Sequence, residues 1–332
     1  MQLNVFKKIK YYLIVVFLLL ISNYINGQDA TFTQFYANSL YLAPSFTGAT
    51  GENRLILAYR NQWPQVSGVF NTYSISWDKY LSNYKSGIGV LVSHDVAGSS
   101  NLSISNIGLL YSYDIKLNDY WHAVPGISLK TRILGIDIHK LLFNSQVGTL
   151  IPPITPPVFD NKIAMDFSFS ALVHNDRFWG GFAMDHLLRP EQSFYNDGSR
   201  LPIKYNLILG GQIYRKTRLI VKNRDVFSIS LNMQTQKRFF QAEFNVYYEI
   251  NSLVFGGGYR GLIFADKQVG DAIIGLVGYK GDYFNIGYSY DFTVSKLLGS
   301  TAGSHEITFT YKFDYIRAVK TQKVKAIPCP EF

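Results

Sequence analysis

From Glu306 to Tyr315 apolar and polar residues alternate without a break. Ile307, Phe309, Tyr311, Phe313 and Tyr315 fall on one side, and Glu306, Thr308, Thr310, Lys312 and Asp314 on the other. Side chains on a strand project with period two, so this segment has one wholly apolar face and one wholly polar face. Gln241 to Glu249 repeats the pattern, with Ala242, Phe244, Val246 and Tyr248 against Gln241, Glu243, Asn245 and Glu249. There Tyr247 alone breaks the polar face. Phe227, Ile229, Leu231 and Met233 alternate with Ser228, Ser230, Asn232 and Gln234, and Tyr73, Ile75 and Trp77 with Thr72, Ser74, Ser76 and Asp78.

Length separates the two architectures that alternate in this way. Strands of a soluble sandwich run about five or six residues. These segments approach the ~9–11 residues that cross a bilayer at a tilt, and Tyr and Phe gather toward their ends as interfacial girdles do. Candidate strands begin near residues 53, 71, 86, 102, 121, 162, 177, 202, 224, 239, 252, 271, 283 and 304. The chain is therefore expected to form an all-β transmembrane antiparallel β-barrel of about fourteen strands. An even count returns the chain to the side where it began, and closure removes sheet edges that hydrocarbon would leave unpaired. Aromatic residues make up 16 % of the chain and charged residues only 17 %, which excludes a disordered chain.

The first residues read as an export signal. Lys7, Lys8 and Lys10 form a positive start, Tyr11 to Ile21 an apolar run, and Ser22, Asn23, Asn26 and Gly27 a polar exit. Cleavage is expected after Gly27, leaving Gln28 first. The apolar run is short of the ~20 residues of a spanning helix, which disfavours a membrane anchor. Removal of the three lysines brings the formal charge from +9 to nearer +6. Such an excess does not indicate nucleic acid, and no basic helix or zinc-finger spacing accompanies it.

Connection lengths alternate as well. Tight turns are expected at Ser82-Asn83-Tyr84, Asn118-Asp119, Asn175-Asp176, Asn251-Ser252 and Gly281-Asp282. Longer links run from Gln62 to Phe70, Ile136 to Asn161, His186 to Leu201, Gly261 to Gly270 and Val294 to Gly303. Short turns belong in the periplasm and long loops outside, which puts both termini in the periplasm. Two links fit this scheme poorly: Gln236-Lys237 is short for an outer loop, and Lys216 to Arg224 is long for a periplasmic turn.

No catalytic, cofactor or metal site is expected. Gly256-Gly257-Gly258-Tyr259-Arg260-Gly261 has the spacing of a dinucleotide fingerprint but lies within a strand instead of leading into a helix. His94-Asp95 and Asp185-His186 are neighbours, and neighbours on a strand point to opposite faces, so neither pair makes a base with its orienting acid. The six histidines lack metal-ligand spacing, and the one cysteine, Cys329, cannot form an intramolecular disulfide.

The division that follows is residues 1–27 as signal peptide, 28–51 as a plug-like segment, 52–316 as the barrel and 317–332 as a periplasmic tail. Tyr36, Leu40, Tyr41, Leu42, Pro44 and Phe46 make residues 28–51 too apolar for a solvated arm, and the barrel mouth is a candidate place for them to pack. The tail carries Arg317, Lys320, Lys323 and Lys325 and ends Ile327-Pro328-Cys329-Pro330-Glu331-Phe332. Its two prolines enforce an extended chain, which suits docking to another protein and equally a frayed terminus.

The run Gln28-Asp29-Ala30-Thr31-Phe32-Thr33-Gln34-Phe35-Tyr36, followed by Asn38-Ser39-Leu40-Tyr41-Leu42-Ala43-Pro44-Ser45-Phe46-Thr47-Gly48, resembles the mature start of the PorP/SprF family of the type IX secretion system. That family commonly has proline where Ala30 and Ser39 stand, and asparagine in place of Ala43. Arg60-Asn61-Gln62-Trp63-Pro64 and Ser74-Ile75-Ser76-Trp77-Asp78 resemble its first hairpin, and Ile327-Pro328-Cys329-Pro330 its ending. The resemblance implies an outer-membrane accessory barrel that supports secretion or surface attachment of particular cargo proteins, adhesins of gliding bacteria among them. It implies contacts with the secretion machinery and with cargo C-terminal domains. The residues alone leave open a passive channel or small-molecule transporter, and a surface adhesin or scaffold.

Two surfaces are expected to meet partners. Ile151-Pro152-Pro153-Ile154-Thr155-Pro156-Pro157 stiffens the longest outer link into a ledge which, with Trp63 and Pro64, either contacts cargo or folds over the mouth as a lid. The other is the tail tip, with Ile327, Pro328, Cys329, Pro330 and Phe332.

Overall fold

The computed structural model describes residues 29–137, 161–194, 198–217, 224–237, 239–261, 271–294, 301–313 and 327–328. Fifteen strands are present among them: β1 (Asn53–Gln62), β2 (Val69–Leu81), β3 (Ser86–Gly98), β4 (Leu102–Tyr113), β5 (Ile115–Lys116), β6 (His122–Gly135), β7 (Lys162–His174), β8 (Phe178–Asp185), β9 (Lys204–Thr217), β10 (Arg224–Gln236), β11 (Phe239–Ile250), β12 (Leu253–Gly261), β13 (Ala272–Lys280), β14 (Phe284–Thr293) and β15 (Ser304–Lys312). Each pairs antiparallel with its neighbour in sequence, except that β4 pairs directly with β6 beside the two-residue β5. The sheet closes where β1 meets β15, with Leu57 opposite Phe309 and Arg60 opposite Glu306. The result is a closed fourteen-strand barrel with one short extra strand.

The two faces of the wall follow the alternation. On β15, Glu306, Thr308, Thr310 and Lys312 are buried inside, while Ile307, Tyr311 and Phe313 beyond the strand end are exposed outside. Near the short-turn end, Tyr111, Tyr113, Tyr279, Phe284, Tyr311 and Phe313 form an outward aromatic belt. Tyr73, Tyr288 and Phe292 are exposed toward the long-loop end. Among the described residues no helix is long and apolar enough to cross a membrane.

Connection lengths alternate less strictly than expected. At the long-loop end β10 and β11 are joined tightly at Lys237, which takes a left-handed backbone conformation, and β3 and β4 turn at Gly98 and Asn101 in the same way. The register between β9 and β10 shifts at Phe227 and Ser228.

The lumen is occupied. Residues 31–50 run through it, with a single helical turn α1 (Ser39–Leu42) and a 3-10 turn at Pro44–Phe46. The apolar core of the molecule therefore lies at the barrel axis. Phe35, Tyr36, Ala37, Leu42, Ala43 and Phe46 pack on the wall residues Leu172, Trp179, Ala183, Ile208, Tyr247, Val254 and Leu276. Leu40 packs on Ile56, Leu91 and Leu110. These wall residues are the apolar exceptions on polar faces, and Tyr247 is one of them: it is buried because the segment lies against it. Removing such surface from water contributes roughly 25 cal/mol per Å².

Candidate functional site

The segment that fills the lumen is held in three layers and by one further anchor at the long-loop mouth. From Asp29, held beside His186 at the long-loop end, the segment runs along the lumen to the short-turn end, where β1 starts. Asp29 and the start of β1 therefore lie at opposite ends of the barrel.

At the short-turn end the contacts are close enough to need glycine in the wall. A Cβ on Gly87 would stand 2.1 Å from the carbonyl oxygen of Thr47, and one on Gly126 would stand 2.3 Å from the nitrogen of Ser45. Hydrogen bonds complete this layer. Ser45 N–H donates to Ser170 Oγ at 2.8 Å, Ser112 Oγ to the Thr47 carbonyl at 2.7 Å, and Gly48 N–H to Asp78 Oδ2 at 2.7 Å. Asp78 is in turn neutralised by Arg54, whose Nε lies 2.7 Å from Oδ1.

In the middle layer Trp179 Nε1 donates to the Tyr36 hydroxyl at 3.0 Å, and Tyr36 donates to the Leu209 carbonyl at 3.2 Å. The Tyr36 and Trp179 rings meet edge to face with centroids 5.6 Å apart.

Toward the long-loop end lies a buried charge network. Glu306 accepts the backbone N–H groups of Thr33 and Gln34 at 2.7 and 2.8 Å. Arg60 bridges Glu306 at 3.0 Å and Asp291 at 2.7 Å. Arg260 bridges Asp291 at 3.0 Å and Glu243 at 2.7 Å. Thr33 Oγ1 accepts from both guanidinium groups and donates to Asp291. Gln34 donates to Ser289 Oγ at 3.2 Å and accepts from Thr308 Oγ1 at 2.7 Å. Buried ions are tolerated when each is paired and hydrogen-bonded, and here the lumen segment supplies part of that pairing.

The outermost anchor is His186. Its Nε2 lies 2.5 Å from Asp29 Oδ2 and its Nδ1 lies 2.6 Å from Asp166 Oδ2. Burial alone would lower the His186 pKa, but the flanking carboxylates of Asp29 and Asp166 outweigh it and hold the imidazole up at about 9. Burial would raise Asp29; His186, Lys204 and Arg132 reverse that and keep it below the ordinary carboxylate range. A cavity of about 40 Å³ lies beside this anchor, bordered by Asp29, Tyr41, Lys130, Arg132, Asp185 and Lys204 among others.

This corrects one expectation. Asp185 and His186 do not face opposite sides: β8 ends at Asp185, His186 takes a positive φ of 63°, and both side chains are buried at the lumen mouth. His94 and Asp95 do separate, His94 bonding Ser105 and Asp95 accepting from Thr72. The Gly256–Gly261 run lies inside β12, where Arg260 belongs to the charge network. Among the described residues no group of three or more candidate ligands could hold a metal ion.

The sequence-predicted contact residues fall into three groups. Trp63 lies between β1 and β2 with its ring edge-on to Phe70 at 5.8 Å, and Pro64 is exposed. Ile327 is 4 % exposed and belongs to the core at the barrel axis; its N–H donates to the Ala49 carbonyl at 3.0 Å. The Pro328 carbonyl accepts from Gln212 Nε2 at 3.0 Å. Ile151, Pro152, Pro153, Ile154, Cys329, Pro330 and Phe332 lie outside the described residues. The lumen charges Arg60, Arg260, Asp291 and Glu306 were not singled out from sequence. Their signal is the clustering of formal charge on the polar faces near one end of neighbouring strands.

No curated protein matches the chain significantly. Among solved structures it is similar to outer membrane protein Omp33 of Acinetobacter baumannii, at 7 % identity over 80 % of this chain and 100 % of that one, with a TM-score of 0.42. It is also similar to a FadL homologue of Pseudomonas aeruginosa, at 11 % identity over 83 % and 94 % with a TM-score of 0.45. The toluene transporter TodX of Pseudomonas putida matches at 12 % identity over 82 % and 92 %, with a TM-score of 0.45. The profile of the type IX secretion system membrane proteins PorP/SprF matches residues 25–311, spanning the lumen segment and nearly the whole wall. The chain is therefore an outer-membrane β-barrel belonging to the PorP/SprF family, which is associated with type IX secretion.

Proposed function

We propose that this chain is an accessory barrel of the type IX secretion system that supports secretion or surface attachment of specific adhesin-like cargo, in gliding bacteria included, and that residues 28–51 act as its plug. The observation that carries the second part is the Thr33–Gln34 grip on Glu306, inside a charge network that the segment completes. A water-filled channel has polar walls but has no need of Leu172, Trp179, Ile208, Tyr247 and Leu276 on its inner face. The barrel on this reading is a closed scaffold and not a passive channel or small-molecule transporter, and it performs no catalysis. Purified protein in a planar bilayer is expected to carry no steady current, and steady channels in the wild type would restore the channel reading.

The cargo role rests on family membership. Deleting the gene is expected to abolish appearance of particular cargo at the cell surface or in the medium while leaving other type IX substrates unaffected. The ledge at Ile151–Pro157, with Trp63 and Pro64, is proposed to face cargo, and the tail from Arg317 to face machinery in the periplasm. Deletion of Ile151 to Pro157 with cargo retention unchanged would remove the first of these. Full secretion by a chain cut after Tyr315 would remove the second.

A further inference from the structure

The anchors of residues 44–49 differ in kind. Ser170, Ser112 and Asp78 reach the segment from strands β7, β4 and β2, and those strands cannot move without unzipping the wall. Among the described residues the other hydrogen bond that reaches the backbone of this stretch from outside the lumen segment is made by Ile327, which belongs to no strand. Its N–H occupies the Ala49 carbonyl, its side chain is 4 % exposed in the same core cluster as Phe46 and Ala43, and Pro328 is tied to Gln212 of β9. Ala49 stands just before β1, where the segment joins the wall, so Ile327 covers the stretch nearest the tether at the short-turn mouth. It is the part of the closure that can leave while every strand stays paired.

We propose that Ile327 and Pro328 form a detachable latch that keeps the lower half of the lumen segment seated. The proposal rests on the reading of residues 28–51 as a plug. Withdrawing the latch exposes the Ala49 carbonyl and the apolar surface around Phe46 at the short-turn mouth. A protein on that side that binds the tail in place of Ala49 and Gln212 would loosen the plug without disturbing the barrel. Tail binding and lumen opening are then one event, because the same residue cannot serve both.

Hydrogen exchange read by mass spectrometry on the full chain in lipid discs tests this. In Ile327→Asp, amides of residues 43–50 are expected to exchange about tenfold faster or more, with the strands unchanged, as a local opening requires. Unchanged exchange there in a folded barrel overturns the latch. If Ile327→Asp fails to assemble, a second variant decides: Ala49→Cys with Ile327→Cys in a Cys329→Ser background. The oxidised protein is expected to stay protected over residues 43–50 and the reduced protein to lose protection; equal exchange in both states overturns the proposal. Bilayer current from the wild type would instead defeat the plug reading, so the two failures are distinguishable.

Discussion

The backbone N–H of Thr33 donates to Oε2 of Glu306 at 2.7 Å, although the two residues are 273 positions apart. The first described residues of the chain and its last strand are thus locked together inside the barrel. Glu306 also accepts from Gln34 and Arg60, so it is the point where lumen segment and wall share one charge.

Replacing that charge should loosen the segment and spare the wall. Glu306→Ala leaves the Thr33 and Gln34 N–H groups without their acceptor and Arg60 with Asp291 as its one remaining carboxylate, and breaking a buried pair on one side costs about 3–5 kcal/mol. The barrel is expected to fold, shown by heat-dependent gel mobility, while residues 29–40 become accessible to protease. Unchanged protection of those residues would refute the grip.

Wall orientation gives a second expectation. Phe309→Arg places a charge on the lipid face in mid-strand and is expected to cost about 2–4 kcal/mol in refolding titrations into lipid. A large residue at Thr310 would be tolerated in an open lumen, but Thr310 is buried in this one. Thr310→Ser should be silent, and Thr310→Arg should not be.

The close approach of plug to wall makes Gly126 a sensitive position. Gly126→Val pushes into the Ser45 nitrogen, and overpacking of this kind costs about 1–3 kcal/mol. The outward face is untouched, so membrane insertion should persist. Bilayer recordings are expected to show current absent from the wild type, because the segment can no longer seat fully.

The His186 anchor should respond to alkali. Its pKa is raised from the ordinary 6.5 to about 9, so its stabilisation is fully present below about 6.5 and is lost as pH rises through about 9. Exchange of the amides around Asp29 is expected to accelerate, beyond the intrinsic rate, between neutral pH and pH above 9. His186→Gln should remove this extra step and show looser protection at neutral pH.

The wall was legible because its code is local. Strands expected near 53, 86, 102, 162, 224, 239 and 304 begin there, and the others expected begin within two residues of expectation. Each strand needs only its own period-two pattern to say which side meets lipid, since hydrocarbon rejects polar faces whatever the neighbours are. The inside obeys no such rule. A polar lumen can hold water or a packed segment, and single strands read alike in both cases. Tyr247 was the visible exception on β11, but its meaning required Phe35, Tyr36 and Phe46 from the other end of the chain. The pairing of Glu306 with Thr33, of His186 with Asp29 and of Ile327 with Ala49 likewise depends on where closure brings distant residues. Side-chain period is set by the backbone of one strand, whereas the filling of the barrel is set by shape and charge that exist only after fourteen strands have closed around it.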